Sequence, residues 1–123
     1  MNNLKNSKNF CAAPWMHLHV INDGKAFPCC MTPLDDENSF GNVNEKPLLE
    51  ILNSDLAKDM RKNMLEDKPL PKGCERCVNR EEHGMTSMRQ GMNGNWYKKI
   101  ESNIENTNED GSINEINLKY WDF

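Results

Sequence analysis

Cys74-Glu75-Arg76-Cys77 is the stretch that decides the reading, together with Cys11, Cys29 and Cys30 further up the chain. A Cys-x-x-Cys pair can bring two thiolates to one metal from a single turn. A second pair arriving from a hairpin completes a four-thiolate site. Such a set suits zinc or an iron–sulfur cluster, and spacing alone does not choose between them. The count of five cysteines is odd, so one is spare if the site takes four. Cys29 and Cys30 are neighbours, and adjacent residues on a strand point to opposite faces. Only one of them is therefore expected to face the metal.

The hairpin reads outward from Asn22-Asp23-Gly24, whose Asp-Gly pair is a turn signal. Before it, Met16 to Ile21 alternates, with Met16, Leu18 and Val20 on one face and His17 and His19 on the other. After it, Lys25 to Cys30 returns. This two-stranded hairpin carries Cys11 and Cys29 toward the same end of the ribbon. His17 and His19 suit a metal chemically, but an exposed strand face is the simpler reading, and His83 reads as a surface residue.

Residues 32–45 form a polar connection. Pro47 suits a first helical position. Leu48, Leu52, Leu56, Met60 and Met64 then recur at helical spacing. Asn53-Ser54-Asp55 breaks the run, with Ser54 as a cap, so the spacing predicts helices at 47–53 and 55–66. Pro69 and Pro71 end the second, and Gly73 leads into the Cys74–Cys77 knuckle. A helix is expected within 78–90, interrupted near Gly84, and another around 96–104. Asp110-Gly111 marks a loop. The stretch from Ile113 to Phe123 reads as a terminal strand. Arg80, Glu81, Glu82 and Arg89 read as a solvated helix face, with docking of a partner domain or a peptide as the second reading.

The fold class expected is α+β: a small metal-stapled domain with an N-terminal two-stranded hairpin, short helices and a Cys-x-x-Cys knuckle. Residues 1–9 read as a disordered leader, 10–92 as the cluster-binding domain, and 93–123 as a connecting helix or loop with a terminal strand. At 123 residues, 37% hydrophobic and a mean hydropathy of -0.85, the core is thin, and a metal staple would support it. The net charge of -4 comes without a basic block, so neither nucleic acid nor an anionic membrane is an expected partner. No apolar run approaches the roughly 20 residues a spanning helix needs. The first ten residues carry no apolar core of a signal peptide. A cytoplasmic location is expected, where thiols stay reduced and favour metal or redox chemistry over disulfides.

The order Cys11…Pro14-Trp15, Asp23-Gly24, Pro28-Cys29, Gly41-Asn42, Leu48…Ile51-Leu52-Asn53-Ser54 and Pro71…Cys74-Glu75-Arg76-Cys77 resembles the SPASM/twitch auxiliary-cluster module of radical SAM enzymes. In that family a Gly-x4-Cys step supplies the second ligand, here Gly24 to Cys29. The resemblance implies a [4Fe–4S] cluster on Cys11, Cys29, Cys74 and Cys77, with Cys30 the alternative to Cys29. The absence of cysteines after Cys77 looks like the shorter twitch form. The Cys-x3-Cys-x2-Cys loop of the radical SAM core does not occur in the chain. Residues 115–123 look like the strand that leads into it. The resemblance thus implies an auxiliary module that is not catalytic alone. Its expected partner is a radical SAM core, in a longer chain or separate, and its expected substrate is a peptide.

Three functions follow. The first is a cluster module aiding peptide binding or electron relay. The second is a structural zinc module closed by the same four thiolates. The third, a thiol–disulfide oxidoreductase using Cys74 and Cys77, ranks lowest because prolines and Gly73, not a long buried strand, precede the pair.

Overall fold

The computed structural model describes residues 4–114, and the expected terminal strand lies almost wholly outside them. The chain is α+β, with a three-stranded antiparallel sheet and five α-helices among the described residues. In chain order these are α1 (Ala13–Met16), β1 (His19–Val20), β2 (Lys25–Phe27), β3 (Gly41–Asn42), α2 (Leu48–Leu52), α3 (Asp55–Leu65), α4 (Glu75–Glu82) and α5 (Met88–Glu105).

The hairpin forms, but its first strand is shorter than the alternation suggests. Pro14 stands in the first turn of α1, where its fixed φ suits a helix. The helix carries the chain as far as Met16, so only His19 and Val20 pair with β2. His19 lies opposite Phe27, and Val20 opposite Ala26. The turn rests on Gly24, whose φ of +95° is left-handed and disfavours a side chain. The expected two-stranded hairpin gains a third strand: Lys25 and Ala26 pair with Asn42 and Gly41. The strand is only two residues long and sits within a largely polar connection, which hides it in the sequence.

Helices α2 and α3 fall close to their predicted spans, and Ser54 caps α3 through the Ala57 N–H. Ile51, Leu52, Ala57, Met60 and Met64 turn inward to a core shared with Phe10, Trp15, Leu18 and Ala26. Phe10 stacks on Trp15 at 5.4 Å between ring centres and meets the edge of Tyr97 at 5.6 Å.

Two stretches pack differently from their sequence reading. Residues 4–9 are packed, not a loose leader: Leu4–Asn6 makes one 3-10 turn with Leu4 buried, and Ser7 and Asn9 hydrogen-bond to Asp67. The expected break between 92 and 93 falls inside α5, which runs unbroken from Met88 and contributes Tyr97, Ile100 and Ile104 to the same core. The Ser87 hydroxyl and the Gln90 side chain form a reciprocal cap at its start. No helix among the described residues is long and apolar enough to cross a membrane.

One buried cation ties the far side together. Arg61 on α3 is fully buried. Its Nε donates to the Gly111 carbonyl at 2.7 Å and its Nη1 to the Pro14 carbonyl at 2.8 Å; Nη2 donates to the Leu52 carbonyl and to Asn53 Oδ1. Burial lowers its pKa to about 10, with Asp110 acting in the opposite sense.

Candidate metal centre

Cys11 enters just before α1. Cys29 follows β2 by two residues. Cys74 closes a 3-10 turn (Lys72–Cys74) and is the residue from which α4 starts, and Cys77 sits in the first turn of α4. The expected knuckle is thus a turn running into a helix. The positive end of that helix faces the chain segment bearing both thiols.

Cys11, Cys29, Cys74 and Cys77 line one pocket of about 340 Å³ of atom-free space, open at its mouth. Met31, Leu70 and Met88 supply apolar wall, and Arg76 and Arg89 reach it as well. Cys30 is exposed and does not line the pocket. Both lie past the end of β2, where the Thr32 N–H closes a turn on the Cys29 carbonyl at 3.2 Å, so the expected strand alternation does not apply; Cys29 is the half-buried one. Gly73 packs closely under the Asn38 side chain just before Cys74, so a Cβ there would push that amide aside.

Burial is the first cause of the thiol energetics. It holds the Cys11 thiol well above its ordinary value and pushes Cys74 up to about 12. Mutual repulsion among the four cysteines adds to both shifts, while the Ala13 N–H lowers Cys11 and the charge of Arg89 lowers Cys74. Four thiolates in this place therefore need a cationic group among them, and a metal or cluster supplies one. The set fits an iron–sulfur group on its donor chemistry. Two of the sulfurs already have hydrogen-bond partners: the Ala13 N–H donates to Cys11 Sγ at 3.4 Å, and Cys29 Sγ pairs with the Thr32 hydroxyl at 3.6 Å. Contacts of this kind tune a cluster's potential.

The Cys11 segment is held by α5. Asn93, buried, accepts the Ala12 N–H at 2.8 Å and donates to the Phe10 carbonyl at 2.9 Å, bracketing Cys11 from both sides. Arg89, 6% exposed, donates from Nη1 to the carbonyls of Ser7 at 2.8 Å and Phe10 at 2.9 Å. Its other nitrogens pair with Glu81 at 2.8 and 2.5 Å. The Ser87 hydroxyl also donates to Glu81 at 2.7 Å. The Arg89 bonds hold the Glu81 carboxyl below the usual carboxylate range. Arg89 and Glu81 are thus not a solvated face. Asn93 carries no sequence signal, but Ser87-Met88-Arg89-Gln90 is a capping-box pattern that marks where this helix begins. Placing the helix start there puts Arg89 and Asn93 four residues apart, on one face.

His17 and His19 are half-buried beside α1 and β1, away from the cysteine pocket's lining, and the exposed His83 hydrogen-bonds the Asn79 carbonyl. Among the described residues, no three His, Cys, Asp or Glu side chains converge as ligands of a single ion.

A sheet, a helix start and an N-terminal segment that deliver four cysteines to one apolar pocket define a thiol-lined cofactor scaffold. Residues 11–78, more than half of the chain, match the SPASM iron–sulfur cluster-binding domain, and the chain belongs to that family. Members bind iron–sulfur clusters and occur with radical SAM cores. No curated protein and no solved structure matches the chain.

Proposed function

We propose that the chain holds one [4Fe–4S] cluster on Cys11, Cys29, Cys74 and Cys77, in the manner of the twitch form. It would serve a radical SAM core, carried in a longer chain or as a separate protein, and would be cytoplasmic. The module would anchor a peptide substrate or relay electrons, and would not be catalytic alone. Residues 115–123 would lead toward the radical SAM barrel. The observation that carries this reading is the shared pocket of these four thiols, with Cys30 turned out of it.

A cluster spreads its four ligands over four irons, so the thiolates need not meet at one point. A zinc ion, with Zn–S near 2.3 Å, draws its sulfurs to about 3.8 Å from one another. Iron and sulfide content therefore separates the cluster from the structural zinc module. The net charge of -4 gives no support to a nucleic-acid role.

Single alanine variants test the assignment. Cys11→Ala, Cys29→Ala, Cys74→Ala and Cys77→Ala should each lose most iron after anaerobic purification, while Cys30→Ala keeps it. Equal loss at Cys30 would overturn the choice of Cys29.

A further inference from the structure

We propose that Arg89, held by Glu81, is a positioning residue of the cluster pocket that also raises the reduction potential of the group bound there; this rests on the cluster reading above. Three observations carry it. Arg89 lines the same pocket as all four cysteines, yet it is 6% exposed, so water screens its charge little. Its guanidinium is locked by its bonds to Ser7, Phe10 and Glu81, so the charge cannot swing away. Glu81 does not line that pocket. It faces a separate cleft with Lys8, Pro69 and Val78, so the ion pair presents its positive end to the sulfurs and its negative end away.

The consequence has a definite sign. Reduction adds an electron to an already anionic thiolate-bound cluster, and a fixed cation nearby favours that state more than the oxidised one. Arg89 therefore raises the potential, and Glu81, farther off, partly offsets it. Arg76 also reaches the pocket, but it is exposed and solvent-screened, so its influence is smaller. Positioning is a separate effect. The Nη1 bond to the Phe10 carbonyl fixes the residue just before Cys11, and a lysine in this place cannot reproduce the fork that also reaches Glu81.

The test is a spectroelectrochemical titration of the anaerobically prepared full chain, with iron and sulfide measured on each sample. Arg89→Gln should lower the potential and Glu81→Gln should raise it, both beyond replicate scatter. Arg76→Gln should move it less than either. Arg89→Lys should keep the potential near the wild-type value while retaining less iron. A merely structural pair would shift both neutral variants the same way or not at all, and that result overturns the proposal. If Arg89→Gln holds no cluster, Glu81→Gln decides alone: an unmoved or lowered potential overturns it. Wild-type protein without iron and sulfide sinks the cluster reading and this inference together, whereas loaded wild type with unmoved variants sinks this inference only.

Discussion

Asn93→Ala should destabilise the protein by about 1.5–4.5 kcal/mol and loosen the Cys11 ligand. The magnitude comes from the two bonds that would be lost. Asn93 Oδ1 accepts the Ala12 N–H at 2.8 Å, and Ala12 is fully buried, so no water can replace the acceptor. A stranded buried donor costs about 1–3 kcal/mol. On the other side the Phe10 carbonyl keeps its bond from Arg89 at 2.9 Å, so the loss there is only about 0.5–1.5 kcal/mol. A domain of this size has roughly 6–18 kcal/mol in total, so the loss is a large fraction. Asn93→Asp is the sharper variant. It keeps an acceptor for Ala12 but turns a carboxylate oxygen toward the Phe10 carbonyl, so it should be at least as damaging. Guanidinium unfolding of anaerobically purified protein, followed by far-UV circular dichroism, reads the change as a lower midpoint at similar slope. Iron retained after gel filtration reads the effect on Cys11. Both variants within about 0.5 kcal/mol of wild type would refute the claim that this side chain braces the Cys11 segment.

Arg61→Met strands the Gly111, Pro14 and Leu52 carbonyls, and should cost about 3–5 kcal/mol in a thermal or denaturant melt; Arg61→Lys should recover little, because an ammonium cannot span these acceptors. Gly111→Ala should lose about 1–3 kcal/mol from its φ of +89° alone, and more because the new Cβ would run into the Lys58 backbone; an unchanged melting midpoint would contradict that placement. Glu81 has a folded pKa below its unfolded one, so its ion pair stabilises the fold above the ordinary carboxylate range and that contribution is lost as pH falls through the folded value. Glu81→Gln lacks this dependence, so the stability gap between wild type and variant should narrow on acidification; a gap that widens would give the coupling the wrong sign.

The sequence reveals the elements whose cause is local. Asp23-Gly24 makes a turn by backbone preference, and the helical run from Leu48 to Met64 with Ser54 at its break follows from period and capping. The cysteine set is legible as well, because thiols at such spacings are scarce and chemically specific. What the sequence hides is set by long-range contact. β3 consists of Gly41 and Asn42 only, and nothing in two residues marks them as a strand until β2 is beside them. Arg61 and Arg89 are ordinary charged residues by pattern, and each is buried only because distant carbonyls gather around it. The polar segment before Cys11 looks unstructured for the same reason: Arg89 and Asp67 supply its partners from residues about 60 to 82 positions away. The Ser87 capping box was the one local clue to this arrangement.

Iron, sulfide and zinc content of the anaerobically purified chain, with its visible spectrum, distinguishes a cluster from a zinc ion in the cysteine pocket. A [4Fe–4S] cluster on these thiols gives about four irons and four sulfides per chain with a broad brown absorbance. One zinc per chain, no sulfide and a colourless protein would contradict it and leave a structural zinc module in its place.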